Sequence, residues 1–333
     1  MLGGIVLLAM LVYNLWLARK NRPRQPQANA GEGASASGQE PTLDAHAFDS
    51  TEFVLPVPEK KPGLDALIDV IAPIGLDASV SGDAVLAATP PTRRVGSKPF
   101  AIEGLNTATE RWETAQPGQR YSQLQAGLQL ANRSGALNDI EFSEFVIKTQ
   151  SFCDVLSGTP DFPDMRQEVS RARELDQFAS DHDAQLGFVL RARRAAWSPS
   201  YVQQMAARLG FVAGSMAGRM VVPASFAGAA PVLSMSFDTQ TALDDDPTQS
   251  ALRELALSLD VPQVDRSERA FARMRETAMS LAKDMDGVVT DDNGVPLPPE
   301  AMDVIAAALE RLYDTLDQRE LSAGSPLARR LFS

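Results

Sequence analysis

Few side chains in this sequence are equipped to perform a reaction. The histidines are His46 and His182, and the single cysteine is Cys153. A Ser-His-Asp or Cys-His mechanism needs an imidazole in a pocket, within hydrogen-bond reach of a nucleophile. His46 sits in a linker-like stretch with no second His or Cys nearby, so neither proton transfer nor metal binding is expected of it. His182 lies in ASDHDAQ, between two apolar-patterned segments, and is expected at the surface. Asp291 and Asp292 suggest a metal or general-acid pair, yet VVTDDNG reads more simply as a turn leaving a strand. Asp244, Asp245 and Asp246, followed by Pro247, read as a solvated loop without EF-hand spacing. AGSMAGR lacks the Lys and the strand-to-helix setting of a phosphate loop. Cys153 stands among helical apolar residues and reads as core. No catalytic group, metal, cofactor or small-molecule substrate is expected, so the elements themselves must carry the function.

The chain has 31 Lys and Arg against 43 Asp and Glu, a net charge of −12. Binding to nucleic acid is driven by neutralising phosphates with cations, and a charge of this sign opposes it. The exception is the Arg19, Lys20, Arg22, Arg24 cluster, which follows an apolar run from Leu2 to Leu17 whose one clearly polar residue is Asn14. That run has about the length that crosses a bilayer core as a helix. A secretory signal would put its charges before the run and a small-residue cleavage site after it; a buried core helix would need neighbours, and a Pro- and Gly-rich stretch comes next. The residues therefore predict a membrane-spanning helix. Cations flanking a span favour the cytoplasmic side, so the N-terminus is expected outside and the rest inside. One cysteine agrees with a reducing compartment.

From Asn21 to about Lys61 the composition is Pro, Gln, Ala, Gly, Ser and acids, as in PRQPQANAGEGASASGQEP. Such a stretch lacks the apolar content that offsets ordering entropy and reads as a flexible linker. As a random coil of about 40 residues it spans roughly 35 Å.

Beyond it the pattern is mixed strand and helix, without the β-α-β-α alternation of a doubly wound sheet. Strands are predicted at Leu186 to Arg193, FVAGSMAGRMVV, PVLSMSFDT and ALRELALSLDV, then GVVTDD. Helices are predicted at 199–209, 269–285 and 299–318. Phe271, Met274, Ala278, Leu281 and Met285 step by three and four, as do Met302, Ile305, Leu309, Leu312 and Leu316. Leu255, Leu257 and Leu259 alternate with Glu254, Ala256, Ser258 and Asp260, and Leu233, Met235 and Phe237 with Ser234, Ser236 and Asp238. The fold class is thus α+β: an antiparallel sheet with helices on one face in a split β-α-β arrangement, the other face left milder and open.

Residues 128–158 align without gaps on 257–287 at an offset of 129, with the helix stripe matched position for position, Phe142 with Phe271 and Phe152 with Leu281 among them. Two diverged copies of one module are inferred, although any strand-then-helix pair has some likeness. The expected organisation is a transmembrane helix at 1–18, a linker at 19–63, a degenerate copy at 64–183, a second copy at 184–320 and a tail at 321–333. The first copy's segments PPTRRVGSKPF and NTATERWETAQPGQRY are more polar than the second copy's strands.

GFVAGSM (Gly210 to Met216), LAKDMDGVVTDDNG (Leu281 to Gly294) and the PP-x-x-M opening the last helix make residues 184–320 resemble the C-terminal domain of the ZipA family, bacterial division proteins that bind FtsZ. The plan of short outer N-terminus, span, linker and terminal domain agrees. The resemblance implies a six-stranded antiparallel sheet whose open face is a shallow apolar groove for the short C-terminal peptide of FtsZ, bound largely as a helix, with no cofactor and no reaction. Read face by face, the residues opposite the helix-covered side are the candidate groove residues: Val189 and Arg191 on the first strand, Met216 and Gly218 on the second, Ser236 and Asp238 on the third, and Ala256 and Ser258 on the fourth, with Met216 matching the family within GFVAGSM. Where the family shows bulky apolar residues on its third and fourth strands, this chain has Ser236, Asp238, Ala256 and Ser258. The plainer reading makes these the solvated side of a sheet. No aromatic stands on the open faces, which opposes the base stacking of RNA-binding sheets. The expected function is a cell-division adaptor of the bacterial inner membrane, anchored by residues 2–18, whose cytoplasmic domain tethers FtsZ filaments; a membrane-anchored scaffold for another peptide partner in envelope assembly is the alternative.

Overall fold

A computed structural model describes residues 63–226, 228–238 and 251–333. The predicted span, all but the end of the linker, His46 and Asp244 to Asp246 lie outside them. Among the described residues no helix is long and apolar enough to cross a membrane. The described residues form two units: one of 63–185, 260–267 and 305–333, the other of 186–259 and 268–304.

The first unit begins with β1 (Asp69–Leu76), β2 (Val80–Ser81), α1 (Gly82–Ala88), β3 (Arg94–Val95), β4 (Lys98–Asn106), β5 (Trp112–Glu113) and β6 (Arg120–Gln129). It continues with the small hairpin β7 (Ala131–Asn132) and β8 (Gly135–Ala136), then α2 (Asp139–Leu156), β9 (Gly158–Pro160) and α3 (Met165–His182). Its sheet runs β3-β4-β6-β1-β9, with β2 on β6 and β5 on β4. Asn138 caps α2 through a reciprocal pair with Glu141, which satisfies donors that a helix start leaves open. The inner stripe of α2 is buried as its spacing requires: Phe142, Phe145, Thr149, Phe152 and Cys153. Phe145 meets Phe100, Phe142 and Phe162 edge to face, with centroids 6.0 to 6.1 Å apart; each such ring is worth roughly 1.5–3 kcal/mol in burial alone.

Part of the outer face of this sheet is covered by its own chain at Gly127. Leu64 lies on Gly127, where a Cβ would come within 2.2 Å of the leucine Cδ2. Glu103 accepts from Leu64 N at 3.0 Å and from Gln125 Nε2 at 2.9 Å.

The second unit holds β10 (Gln185–Ala192), which starts one residue before it, α4 (Pro199–Ala207), β11 (Val212–Ala213), β12 (Arg219–Val222), β13 (Leu233–Ser236), β14 (Glu254–Asp260), α5 (Ala270–Asp284) and β15 (Gly287–Thr290); here the helix over 165–182 remains α3. Its six strands run β11-β12-β13-β14-β10-β15. The stretch FVAGSMAGRMVV is not one strand, as its composition suggested, but the hairpin β11–β12. Gly218, at φ +72°, reverses the chain there in a region open to glycine at little cost. The stripe predicted on α5 is buried throughout, Phe271, Met274, Ala278, Leu281 and Met285, and so are Leu255, Leu257, Leu259, Leu233, Met235 and Phe237 on the strands. Phe188 meets Phe271 edge to face at 6.1 Å.

α6 (Pro299–Gln318) runs from this unit into the C-terminal part of the first, followed by α7 (Pro326–Leu331). Residues 321–333, read from the sequence as a tail, form an integral part of the first unit. Leu331 and Phe332 are fully buried, and Arg330 forms a two-point ion pair with buried Asp69 at 3.0 and 2.5 Å.

Candidate peptide-binding face

The six-stranded sheet positions the site through its registers. Arg219 pairs with Ser236, and Ser236 with Ala256. Bonds from Ala192 N to Arg253 O and from Val261 N to Ala184 O make β14 and β10 antiparallel in a register that sets Ala256 beside Val189. Val189 in turn pairs with Thr290. One row therefore crosses the sheet as Arg219, Ser236, Ala256, Val189, Thr290. The next row holds Val212, Val221, Ser234 and Ser258. Successive residues point to opposite faces, and Met220, Met235, Leu257 and Leu190 are buried on the other side.

Of the predicted groove residues, Val189, Ser236 and Ala256 fall in the first row and Ser258 in the second. Ser236 and Ser258 are exposed, and Val189 and Ala256 are half-buried. Val189, Ser236, Asp238 and Ala256, with Arg253 and Glu254, line a shallow cavity of about 380 Å³. Arg191 lies beyond, its Nε 3.6 Å from Glu254; its guanidinium also approaches the Asp291 to Gly294 turn, where a Cβ on Gly294 would come 3.0 Å from Nη1. Met216 and Gly218 are not on a strand. They sit in the β11–β12 turn, Met216 58% exposed and Gly218 accepting from Phe237 N at 3.0 Å.

Arg219, Val221 and Val212 share this face and were missed by reading FVAGSMAGRMVV as one continuous strand; Ser234, read from the sequence on the open side of its strand, lies beside them. The Gly spacing in AGSMAG was the available turn signal. The floor is small and hydroxylated at its centre, Ser234, Ser236, Ala256 and Ser258, with Arg219 and Val221 on one flank and Val189 on the other. Two strands span roughly 10 Å, close to the diameter of a helix.

The chemistry set aside in the sequence is also placed. Asp291 Oδ1 accepts from Asn293 N at 3.0 Å and Val295 N at 2.7 Å, the turn expected of it. His182 is half-buried rather than at the surface: its ring stacks on Phe178 at 4.3 Å and Nδ1 lies 2.7 Å from Phe178 O. The preceding turn of α3 provides both, since residues four apart share a helix face. Cys153 is fully buried and its thiol is pushed up to about 11, chiefly by that burial. Among the described residues no group of three or more His, Cys, Asp or Glu is placed to hold a metal ion.

No curated protein matches the chain. One solved structure, a berberine bridge enzyme from Eschscholzia californica, aligns at 11% identity over 79% of this chain and 53% of that one, with a TM-score of 0.16, too low for a shared fold; the chain spans about half that enzyme's length. Residues 189–308 match the model of the ZipA C-terminal FtsZ-binding domain, a range that contains all eight predicted groove residues. A mixed helix and antiparallel-sheet fold, the open face of that sheet and this family match coincide on one stretch, and over residues 189–308 the chain is ZipA-like.

Proposed function

We propose that the open face of the six-stranded sheet binds the C-terminal peptide of FtsZ, and that the chain is a cell-division adaptor. The observation that carries this reading is the family match laid over a sheet with one face buried under α5 and the other exposed at Ser236 and Ser258. The peptide lies as a helix on this face, an apolar stripe against the floor. The first unit's sheet is not assigned this role, because the family match lies on the other sheet and Leu64 already covers Gly127 on the outer face of this one. The function is recognition; no reaction and no cofactor is assigned.

The finer parts of the reading rest on the sequence. Residues 2–18 anchor the chain in the bacterial inner membrane with the N-terminus outside, and the linker lets the folded part reach FtsZ filaments. Tethering raises the effective concentration, so a modest site holds a multivalent filament. The two units are copies of one module. In support, β3-β4-β6-β1-β9 and β12-β13-β14-β10-β15 correspond strand for strand, with β2 and β5 added to the first sheet and β11 to the second, and α2 and α5 follow at matching places.

Co-sedimentation with purified FtsZ, with and without its C-terminal tail, tests the function. Binding lost with the tail supports it. Binding to neither form favours the scaffold for a different peptide, a reading to which the hydroxyl-rich floor lends weight.

A further inference from the structure

The open face carries two guanidinium groups in different states. Arg191 has Glu254 beside it at 3.6 Å. Arg219 is exposed and makes no side-chain hydrogen bond or ion pair among the described residues. Its backbone is fixed and its stem starts over a glycine: Gly214 N donates to Arg219 O at 2.8 Å, and a Cβ on Gly214 would lie 3.4 Å from Arg219 Cγ. The stem thus rests against the β11–β12 hairpin where glycine leaves room for it. Arg219 occupies the same cross-strand row as Ser236, Ala256 and Val189, so its Cα stands roughly 10 Å from the Ala256 strand. A helix seated over β13 and β14 presents its flank at that distance.

We propose that Arg219 is a specificity-determining residue of this face, pairing with an acidic side chain on the flank of the guest helix's apolar stripe. The inference rests on the FtsZ-peptide reading and deepens it. The floor is small and hydroxylated, so apolar contact alone fixes register weakly; a cation at one edge of the floor fixes both register and direction. A guanidinium suits the task because its planar fork takes a carboxylate at two points. On the guest's arrival the pair becomes partly desolvated, which strengthens it relative to an exposed ion pair. A guest without the acid forfeits this contact, while a guest with a cation there meets repulsion.

The test is fluorescence anisotropy of a labelled synthetic FtsZ C-terminal peptide titrated with the full chain. Arg219→Gln is expected to weaken binding about tenfold, and Arg219→Glu more. Changing one particular Asp or Glu of the peptide to its amide should reproduce the tenfold loss on the unaltered chain and cost nothing further on Arg219→Gln. Replacing that acid by Lys should restore binding to Arg219→Glu. If both Arg219 variants bind as the unaltered chain does, the assignment of Arg219 is overturned and the FtsZ reading stands. If the unaltered chain fails to bind the peptide, both fall together. Circular dichroism melting of each variant should be unchanged, since the side chain is exposed and has no partner among the described residues.

Discussion

Arg330→Ala is expected to destabilise the first unit far beyond the loss of one surface arginine. Asp69 is 1% exposed, and Arg330 supplies both of its guanidinium contacts, Nη1 to Oδ2 at 3.0 Å and Nη2 to Oδ1 at 2.5 Å. Asp65 N adds a third bond at 2.9 Å. Removing one partner of a buried pair leaves an uncompensated charge, a loss of about 3–5 kcal/mol. Burial already holds the Asp69 carboxyl above the usual carboxylate range, against the lowering pull of Arg330. Without Arg330 it rises further. A carboxyl raised in the folded state binds its proton more tightly there than in the unfolded chain, so folding loses stability as pH climbs through the raised value and regains it on acidification. The gap between the variant and the parent should therefore be largest at neutral pH and narrow as pH falls. In an Asp69→Asn background Arg330→Ala should cost about 1 kcal/mol, an ordinary hydrogen-bond loss. Guanidinium chloride denaturation of the full chain at several pH values measures the gap. Amide exchange in β1 and β6 assigns it to the unit concerned. A gap under about 1 kcal/mol, or one indifferent to pH, would refute this account of the buried pair.

Other outcomes follow from the same geometry. Ala256→Glu places an unpaired carboxylate under the guest and should weaken FtsZ-peptide binding at least tenfold, with folding stability changed by about 1 kcal/mol or less; isothermal titration beside thermal melting separates the two. Met216→Lys, in the exposed turn, should weaken binding without unfolding the domain, and unchanged affinity removes Met216 from the site. Cys153, buried with its thiol pushed up to about 11, should resist iodoacetamide at neutral pH in the folded chain and react once guanidinium unfolds it; mass spectrometry reads the difference, and rapid labelling of folded protein would contradict the burial.

Much of the second unit was legible in its residues. The period of 3.6 in Phe271, Met274, Ala278, Leu281 and Met285, and the period of 2 in Leu255, Leu257 and Leu259, determined which side of each element is buried, and the structure buries those sides. Pro199 and Pro299 announced two helix starts, and α4 and α6 begin there. Side-chain pattern is local, so a local reading recovers it.

What the sequence alone left undecided depends on residues far apart in the chain. No local pattern says that Leu64 closes the first unit's sheet over Gly127, because the fit between a leucine and a missing Cβ exists only once β1, β4 and β6 are paired. Nor does it say that Arg330 neutralises Asp69 across 261 residues of chain. Arg219 belongs to the binding face because a glycine turn splits one apparent strand into two and the registers then line it up with Ser236, Ala256 and Val189. Residue type and period determined which faces this protein hides; strand pairing alone decided which side chains meet on the face it leaves open.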